Sequence, residues 1–446
     1  MARNILAIDI GSTKVTTAIA KKDENGIQIL GSGTVRSQGL KKGVITNIDL
    51  ASRSIKESYR LASQVAGTTP KKAIISISGA YVKSVNSTGI VNIPNAEITL
   101  DEIDRALKGA LYNAEIPQEY EVIHVLPYKF KVDDQDFIED PLGMTANRLE
   151  AEVHIVTAQK SSIYNLKKAV RQAGIDIENI VLGGYASAIA TMGEDDKELG
   201  AAVIDMGGST CDLVIHSGNS IVYDDFLGVG SMHLTNDLSM VLHTPLYTAE
   251  EIKVHYGDLS EPKSDYIEIP IIGDEEQTHE VSLEVVYNII LARVEETLMI
   301  LAKSIEESGY KEHLGAGVIL TGGMTKLGGL RELASVIFDT MPVRIAKPKR
   351  LEGFFDELND PAYSTVVGLV LYGANENTLY EIDSNGRLRG MAIPQEAEEE
   401  AQDPLTSREE ELELLDEIGE IETFAEERPS LKDRIARSFR WLTELF

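Results

Sequence analysis

The chain has one cysteine, Cys211, and one tryptophan, Trp441, among 446 residues. A single thiol forms no intramolecular disulfide, so packing and hydrogen bonds have to hold the fold, as in proteins made for a reducing compartment. Cationic side chains are also scarce, 42 Lys and Arg against 72 Asp and Glu, a net charge of −30. Nucleic acid is therefore excluded as a general partner, because phosphate contacts need clustered cations. No run is long and apolar enough to span a bilayer. The apolar start is cut by Asp9 and Lys14, which makes it a strand and not a secretory leader. The expected location is the cytoplasm. What remains, 43% hydrophobic and 26% charged, is an ordinary globular composition, and the length suits two or more domains.

What is present is a duplicated signature. Residues 7–18 and 203–214 each read as an apolar strand ending in Asp (Asp9, Asp205), a Gly/Ser/Thr turn, and a second strand of β-branched residues, the pattern of a tight hairpin. A glycine turn exposes successive backbone N–H groups that bind phosphate oxygens, small hydroxyls add donors, and an Asp beside polyphosphate orders the waters of Mg²⁺. A lone copy reads first as an ordinary Asp-Gly turn. Two copies in two halves of one chain suit a nucleotide clamped from both sides. Cys211, inside the second hairpin, reads as a small buried hydrophobe.

Along the chain, hairpin, strand, helix (49–65) and strand (73–78) form a first α/β layer. Residues 84–162 differ: a strand, a helix opening at Thr99 with Asp101 and Glu102 in its first turn, and strands over 122–132 and 150–157 read as an inserted small module. The second half repeats the first design with the hairpin of 201–217, helices over 234–242 and 248–255, a polar stretch over 256–279, a long helix over 283–308, the strand 317–321 with Gly322-Gly323-Met324, and helices over 327–338 and 364–372. The globular signal stops near 376. Residues 395–428 are dominated by Glu and Asp, as in a solvated linker.

The final segment, 430–446, is locally basic. On a helical wheel Leu431, Ile435, Phe439, Leu442 and Phe446 share one arc, Trp441 and Leu445 flank it, and Lys432, Arg437 and Arg440 lie outside; Arg434 falls inside and has to snorkel. This is the pattern of a helix lying in an anionic membrane interface. The alternative is a terminal helix docked on the protein itself. Too short to span, such a helix binds lipid weakly alone, so firm attachment needs several copies side by side.

The paired hairpins, with Leu320-Thr-Gly-Gly-Met324, resemble the actin, Hsp70 and hexokinase superfamily of ATP-binding proteins, and Thr248-Ala-Glu-Glu-Ile-Lys253 resembles its adenosine-holding helix. Within it, segments 75–80, 122–127, 151–156, 249–257, 313–323 and 363–368, with the acidic tail and terminal helix, resemble the bacterial cell-division family FtsA. That resemblance implies a duplicated actin-like α/β fold: 1–83 with 163–193 and 360–375 as subdomain 1A, 84–162 as the inserted 1C, 194–235 with 311–359 as 2A, 236–310 as 2B, a linker over 376–429 and a membrane helix over 430–446. It implies a protein that binds ATP with Mg²⁺, polymerises, tethers the tubulin-like protein FtsZ through its C-terminal peptide on 2B to the cytoplasmic face of the inner membrane, and recruits later division proteins. By motif, Gly11, Ser12, Thr13 and Lys14 would hold phosphates from one side and Gly207, Gly208, Ser209 and Thr210 from the other. Asp9 and Asp205 would order waters on Mg²⁺, Glu250 and Lys253 would reach ribose or adenine, and Gly322, Gly323 and Met324 would form the adenosine shelf. Lys253 alternatively reads as a solvated helix charge.

Faster ATPases of the superfamily carry a Glu or Gln where this chain has Gly183-Gly-Tyr-Ala-Ser-Ala-Ile189. Without a group to orient water the expectation is slow hydrolysis at best, with nucleotide acting to close the cleft and favour polymer. A pilus-assembly relative (PilM-like) shares fold and insert but would not carry the basic terminus. A sugar kinase lacks a motif for its catalytic Asp here, and an Hsp70-like chaperone lacks its β-rich substrate domain.

Overall fold

The computed structural model describes residues 3–353 and 356–389. The acidic linker over 395–428 and the terminal helix over 430–446 lie outside the described residues.

Two five-stranded sheets of the same topology carry the two halves. In the first, Arg3–Ile10 runs antiparallel to Lys14–Asp23, which pairs with Gly26–Arg36, and parallel to Lys72–Ile77, which pairs with Asp176–Leu182. In the second, Ala201–Met206 runs antiparallel to Cys211–Ser217, which pairs with Ser220–Leu227, and parallel to Gly317–Thr321, which pairs with Val343–Ile345. The central strands, Leu6 to Ile8 and Ala202 to Ile204, are buried on both faces, which is why they read as unbroken apolar runs rather than alternating ones. Helix Ile48–Ala66 covers the first sheet; Asn47 accepts the Leu50 N–H at 3.0 Å as N-cap, and Gly67 ends it at φ 65°.

Between the sheets lies the apolar core of Ile5, Ala186, Ala190, Val203, Val367, Leu371 and their neighbours. It is built around two helices, Gly183–Thr191 and Ser364–Gly373. They approach so closely that a methyl on Gly368 would sit 1.8 Å from the Ala186 carbonyl oxygen. The small residues that mark both helices in the sequence are what permit this contact.

The inserted module is a four-stranded sheet, ordered Val82–Asn92, Arg148–Gln159, Tyr120–Val132, Gln135–Ile138, with helix Leu100–Asn113 packed on it. The helix opens on Thr99, whose N–H donates to Glu102 Oε2 at 3.1 Å, a reciprocal capping box. Its fourth strand went unread because four residues leave no measurable alternation. Against the second half the module is pinned at His154, whose Nε2 lies 2.8 Å from Asp224 Oδ1 while Nδ1 lies 2.6 Å from Asn86 Oδ1.

Three expectations need correction. The polar stretch over 256–279 is in part a hairpin of Tyr266–Ile271 and Asp274–Ser282; Pro270 and the acidic residues hide it, since proline is tolerated only where a ladder bond can be spared. The helix expected over 327–338 is shorter, Leu330–Ile337, and a separate 3-10 turn, Gly323–Lys326, precedes it, because Gly329, at φ 74°, takes a conformation no helix contains. Finally, the chain does not leave the globular unit at 376. Tyr380, Glu381 and Ile382 are fully buried, and Ile382 exchanges backbone hydrogen bonds with Val125 at 2.9 and 3.1 Å. The linker expectation holds no residue before 390.

What buries this polar stretch is Glu381. Its carboxylate accepts from His124 Nδ1 (2.6 Å), Tyr372 Oη (2.7 Å), Asn377 Nδ2 (3.1 Å) and Tyr185 Oη (3.2 Å). The Leu182 N–H donates to His124 Nε2 at 3.1 Å, which leaves the imidazole proton on Nδ1, facing Glu381. One carboxylate thus joins the inserted module, the first sheet and both central helices.

Candidate nucleotide site

The two hairpins meet across a cleft of about 540 Å³ between the sheets. Each turn is closed by the same bond: Gly11 N–H to the Lys14 carbonyl at 3.1 Å, and Gly207 N–H to the Thr210 carbonyl at 2.8 Å. Their tips touch, since a methyl on Gly208 would lie 2.1 Å from Thr13 Cγ2. The cleft is lined by Asp9, Gly11, Ser12, Thr13 and Lys14 on one side and Asp205, Gly207, Gly208, Ser209 and Thr210 on the other.

At the cleft floor Asp9 Oδ1 accepts from Ser76 Oγ at 2.9 Å, and Asp205 Oδ2 accepts from Ser187 Oγ at 2.6 Å and Thr365 Oγ1 at 3.0 Å. Loss of water around Asp9 raises its carboxyl to about 6, against the Ser76 bond and Lys14, with Asp205 adding to the rise. Asp205 is raised by the same desolvation. Lys14 is lowered to about 8 by burial, despite the attraction of Asp9, Asp360 and Asp205. Its ammonium sits 3.3 Å above the Tyr363 ring.

The other end of the cleft holds the predicted adenosine residues. Lys253 Nζ donates to Glu250 Oε2 at 2.7 Å, to Thr235 Oγ1 at 3.0 Å and to the Ser231 carbonyl at 3.3 Å. With its side chain only 11% exposed, Lys253 is not a solvated helix charge. Gly323 and Met324 line the cleft opposite. Gly322 stands behind them, at φ 91°, with Asp205 and the Met206 carbonyl against its Cα. Cys211 is buried, donates its thiol to the Val229 carbonyl at 3.2 Å, and is pushed far up by burial, so it is no nucleophile.

Several lining residues escaped sequence reading. Asp212 is the main one. It lies directly across the strand pair from Asp205, accepts the Gly79 N–H at 3.1 Å, and is raised to about 7 by burial and by Asp205. The Gly183–Ile189 stretch brings no acid of its own, but Gly184 packs on Asp212: a methyl there would lie 3.3 Å from its Cβ. A signal was available, since antiparallel register sets Asp212 opposite Asp205 as Thr16 is set opposite Asp9. Ser76 and Thr365 in the lining, and Ser187 and Tyr363 behind it against Asp205 and Lys14, had none, because they reach the site from distant segments.

The donor set fits a magnesium nucleotide. Three carboxylates share the cleft floor with one lysine, which favours added positive charge. Among the described residues no group of three or more His, Cys, Asp or Glu converges for direct coordination, as suits a cation held by phosphate oxygens and waters.

Comparison with known proteins agrees with this architecture. Residues 79–157 match the model of the SHS2 domain inserted in FtsA, and residues 202–368 match that of cell division protein FtsA. The chain is 42% identical over 418 residues to cell division protein FtsA of Helicobacter pylori strain J99, covering 86% of this chain and 85% of that one. It is 36% identical to the Pseudomonas aeruginosa protein of the same name, with 84% and 90% covered. Among solved structures it resembles the PilM-PilN type IV pilus biogenesis complex (TM-score 0.60, 18% identity, 83% and 98% covered) and MreB 5 of Spiroplasma citri bound to AMPPNP (TM-score 0.51, 14% identity, 83% and 96% covered). At those identities the likeness is one of fold, an actin-like fold with an inserted module. The chain belongs to the FtsA family of cell-division proteins.

Proposed function

We propose that this chain is an ATP-binding, polymerising adaptor that fastens FtsZ filaments to the cytoplasmic face of the inner membrane and helps bring later division proteins there. The observation that carries the nucleotide part is the contact of the two hairpins, Thr13 against Gly208, across a cleft floored by Asp9, Asp205 and Asp212. In this reading Gly11, Ser12, Thr13 and Lys14 bind phosphate from one half and Gly207 to Thr210 from the other. Asp9 and Asp205 order Mg²⁺ waters, Glu250 and Lys253 reach the ribose or adenine, and Gly322 to Met324 shelve the adenosine. Because each half contributes one phosphate hairpin, bound nucleotide favours the closed arrangement over any other.

The tethering part is supported by family membership and by the basic amphipathic pattern of Leu431 to Phe446. Attachment is assigned to that segment on its amphipathic pattern of apolar and basic residues; among the described residues no helix is long and apolar enough to cross a membrane. The FtsZ C-terminal peptide is assigned to residues 236–310. Titrating labelled FtsZ C-terminal peptide with the intact chain tests this: saturable binding supports it, and no binding at any accessible concentration contradicts it.

Hydrolysis is assigned to Asp212 acting on water, and it is slow. A carboxylate orients and deprotonates water only when ionised, and desolvation holds this one near 7. The rate therefore rises with pH as Asp212 ionises, at or below about 7 because Mg²⁺ offsets the charge of Asp205, and levels off above it. Asp212→Asn removes that rise and lowers the rate about 100-fold while leaving Mg-ATP binding in place. Phosphate release measured from pH 5.5 to 8.5 on both proteins checks this; an unchanged profile in the variant removes Asp212 from the reaction.

A further inference from the structure

We propose that Tyr363 is a positioning residue for Lys14: its ring holds the ammonium at the phosphate end of the cleft while leaving N–H donors free for phosphate. This rests on the nucleotide reading above and adds a residue to it.

Lys14 Nζ lies 3.3 Å from the Tyr363 ring centroid, and among the described residues Lys14 forms no ion pair. The charges that reach it are those of Asp9, Asp360 and Asp205, with Lys326 opposing them. Each acid is engaged elsewhere. Asp9 holds Ser76, Asp205 holds Ser187 and Thr365. Asp360 holds Lys326 at 2.7 Å and the Ala362 N–H at 2.9 Å.

The choice of a ring over a carboxylate has a physical consequence. A carboxylate paired with Lys14 would accept its N–H groups and would have to be released when phosphate arrives, leaving an unpaired charge in a partly dry cleft. An aromatic face attracts the cation through its quadrupole and takes only the side turned towards it. The ring is fixed in turn: the 3-10 turn Pro361–Tyr363 is capped by Asp360, and the Gly322 N–H donates to the Pro361 carbonyl at 3.1 Å. Thr365, two residues on, holds Asp205. One short segment near the far end of the sequence thus sets a cation of the first hairpin and an acid of the second.

The alternative is a ring that only fills space, since Tyr363 also packs against the central core. Binding of Mg-ATP and of adenosine to the full chain separates the two, because Lys14 bears on phosphate and not on the nucleoside. Tyr363→Leu is expected to weaken Mg-ATP about three- to ten-fold and leave adenosine unchanged, with Tyr363→Phe like the parent. A Leu variant that binds Mg-ATP as the parent does, or loses adenosine in equal measure, overturns the proposal. Should the Leu variant fail to fold, Tyr363→Trp decides: tryptophan is the strongest cation acceptor, so Mg-ATP binds tighter than in Tyr363→Phe, and equal binding overturns it. A parent chain that binds no Mg-ATP fails at the nucleotide reading itself, which the same titration detects.

Discussion

Gly322→Ala weakens Mg-ATP binding by a factor of about 30 or more, roughly 2 kcal/mol, and destabilises the fold by about 3 kcal/mol. Gly322 sits at φ 91° and ψ 164°, a region essentially closed to residues with a Cβ and costing them about 1–3 kcal/mol. Space is missing as well. A methyl would lie 2.3 Å from Asp205 Oδ1, 2.5 Å from the Met206 carbonyl oxygen and 2.7 Å from its carbon. The Met206 backbone belongs to the central strand and cannot turn aside, so relief comes from moving the Gly323–Lys326 turn, and with it the adenosine shelf, away from the second hairpin. Nucleotide titration and thermal melting of the variant measure the two effects. A variant that binds and melts like the parent would show that the shelf is not built on Gly322.

Glu381→Leu is expected to cost about 4 kcal/mol of stability. Leucine fills the space but accepts nothing, and it strands the donors of His124 Nδ1 and Tyr372 Oη, while Asn377 keeps the Thr378 carbonyl at 2.9 Å and Tyr185 keeps Thr378 Oγ1 at 3.0 Å. Each unsatisfied buried donor costs about 1–3 kcal/mol, though not additively. On a folded unit of this size that lowers the melting temperature by about 5 °C. Glu381→Gln keeps one carbonyl acceptor and should lose less. The change also reaches the cleft, because Tyr185 stands on the helix whose Ser187 holds Asp205. Equal melting of the Leu variant and the parent would contradict the network.

The parts of this molecule that were legible in the sequence are those in which local chemistry and fold agree. An apolar strand ending in Asp, a Gly/Ser/Thr turn and a second strand can hardly form anything but a hairpin, and its repetition disclosed both the duplicated fold and the cleft. The helix start at Thr99, with Asp101 and Glu102 in its first turn, was readable for the same reason. What escaped has polar residues buried by partners far away in sequence. Residues 376–389 look like linker because nothing in Asn375-Glu-Asn-Thr378 announces that His124 and Tyr372 await Glu381. Tyr363 and Thr365 likewise gain their roles only when the segment at the start of the last helix returns to Lys14 of the first hairpin and Asp205 of the second. Asp212 is the intermediate case: strand register put it opposite Asp205, but only the packing of Gly184 and Gly79 made it a cleft residue.

The measurement that bears most directly on the tethering adaptor is co-sedimentation with liposomes containing anionic lipid, comparing the intact chain with a version ending at Glu427, each with Mg-ATP and without nucleotide. The expected result is that only the intact chain pellets with the lipid, and does so more completely with Mg-ATP, because single terminal helices bind weakly and nucleotide favours the polymer that presents many of them together. If both versions stay in the supernatant under every condition, the terminal segment is not a membrane anchor and the tethering function is wrong.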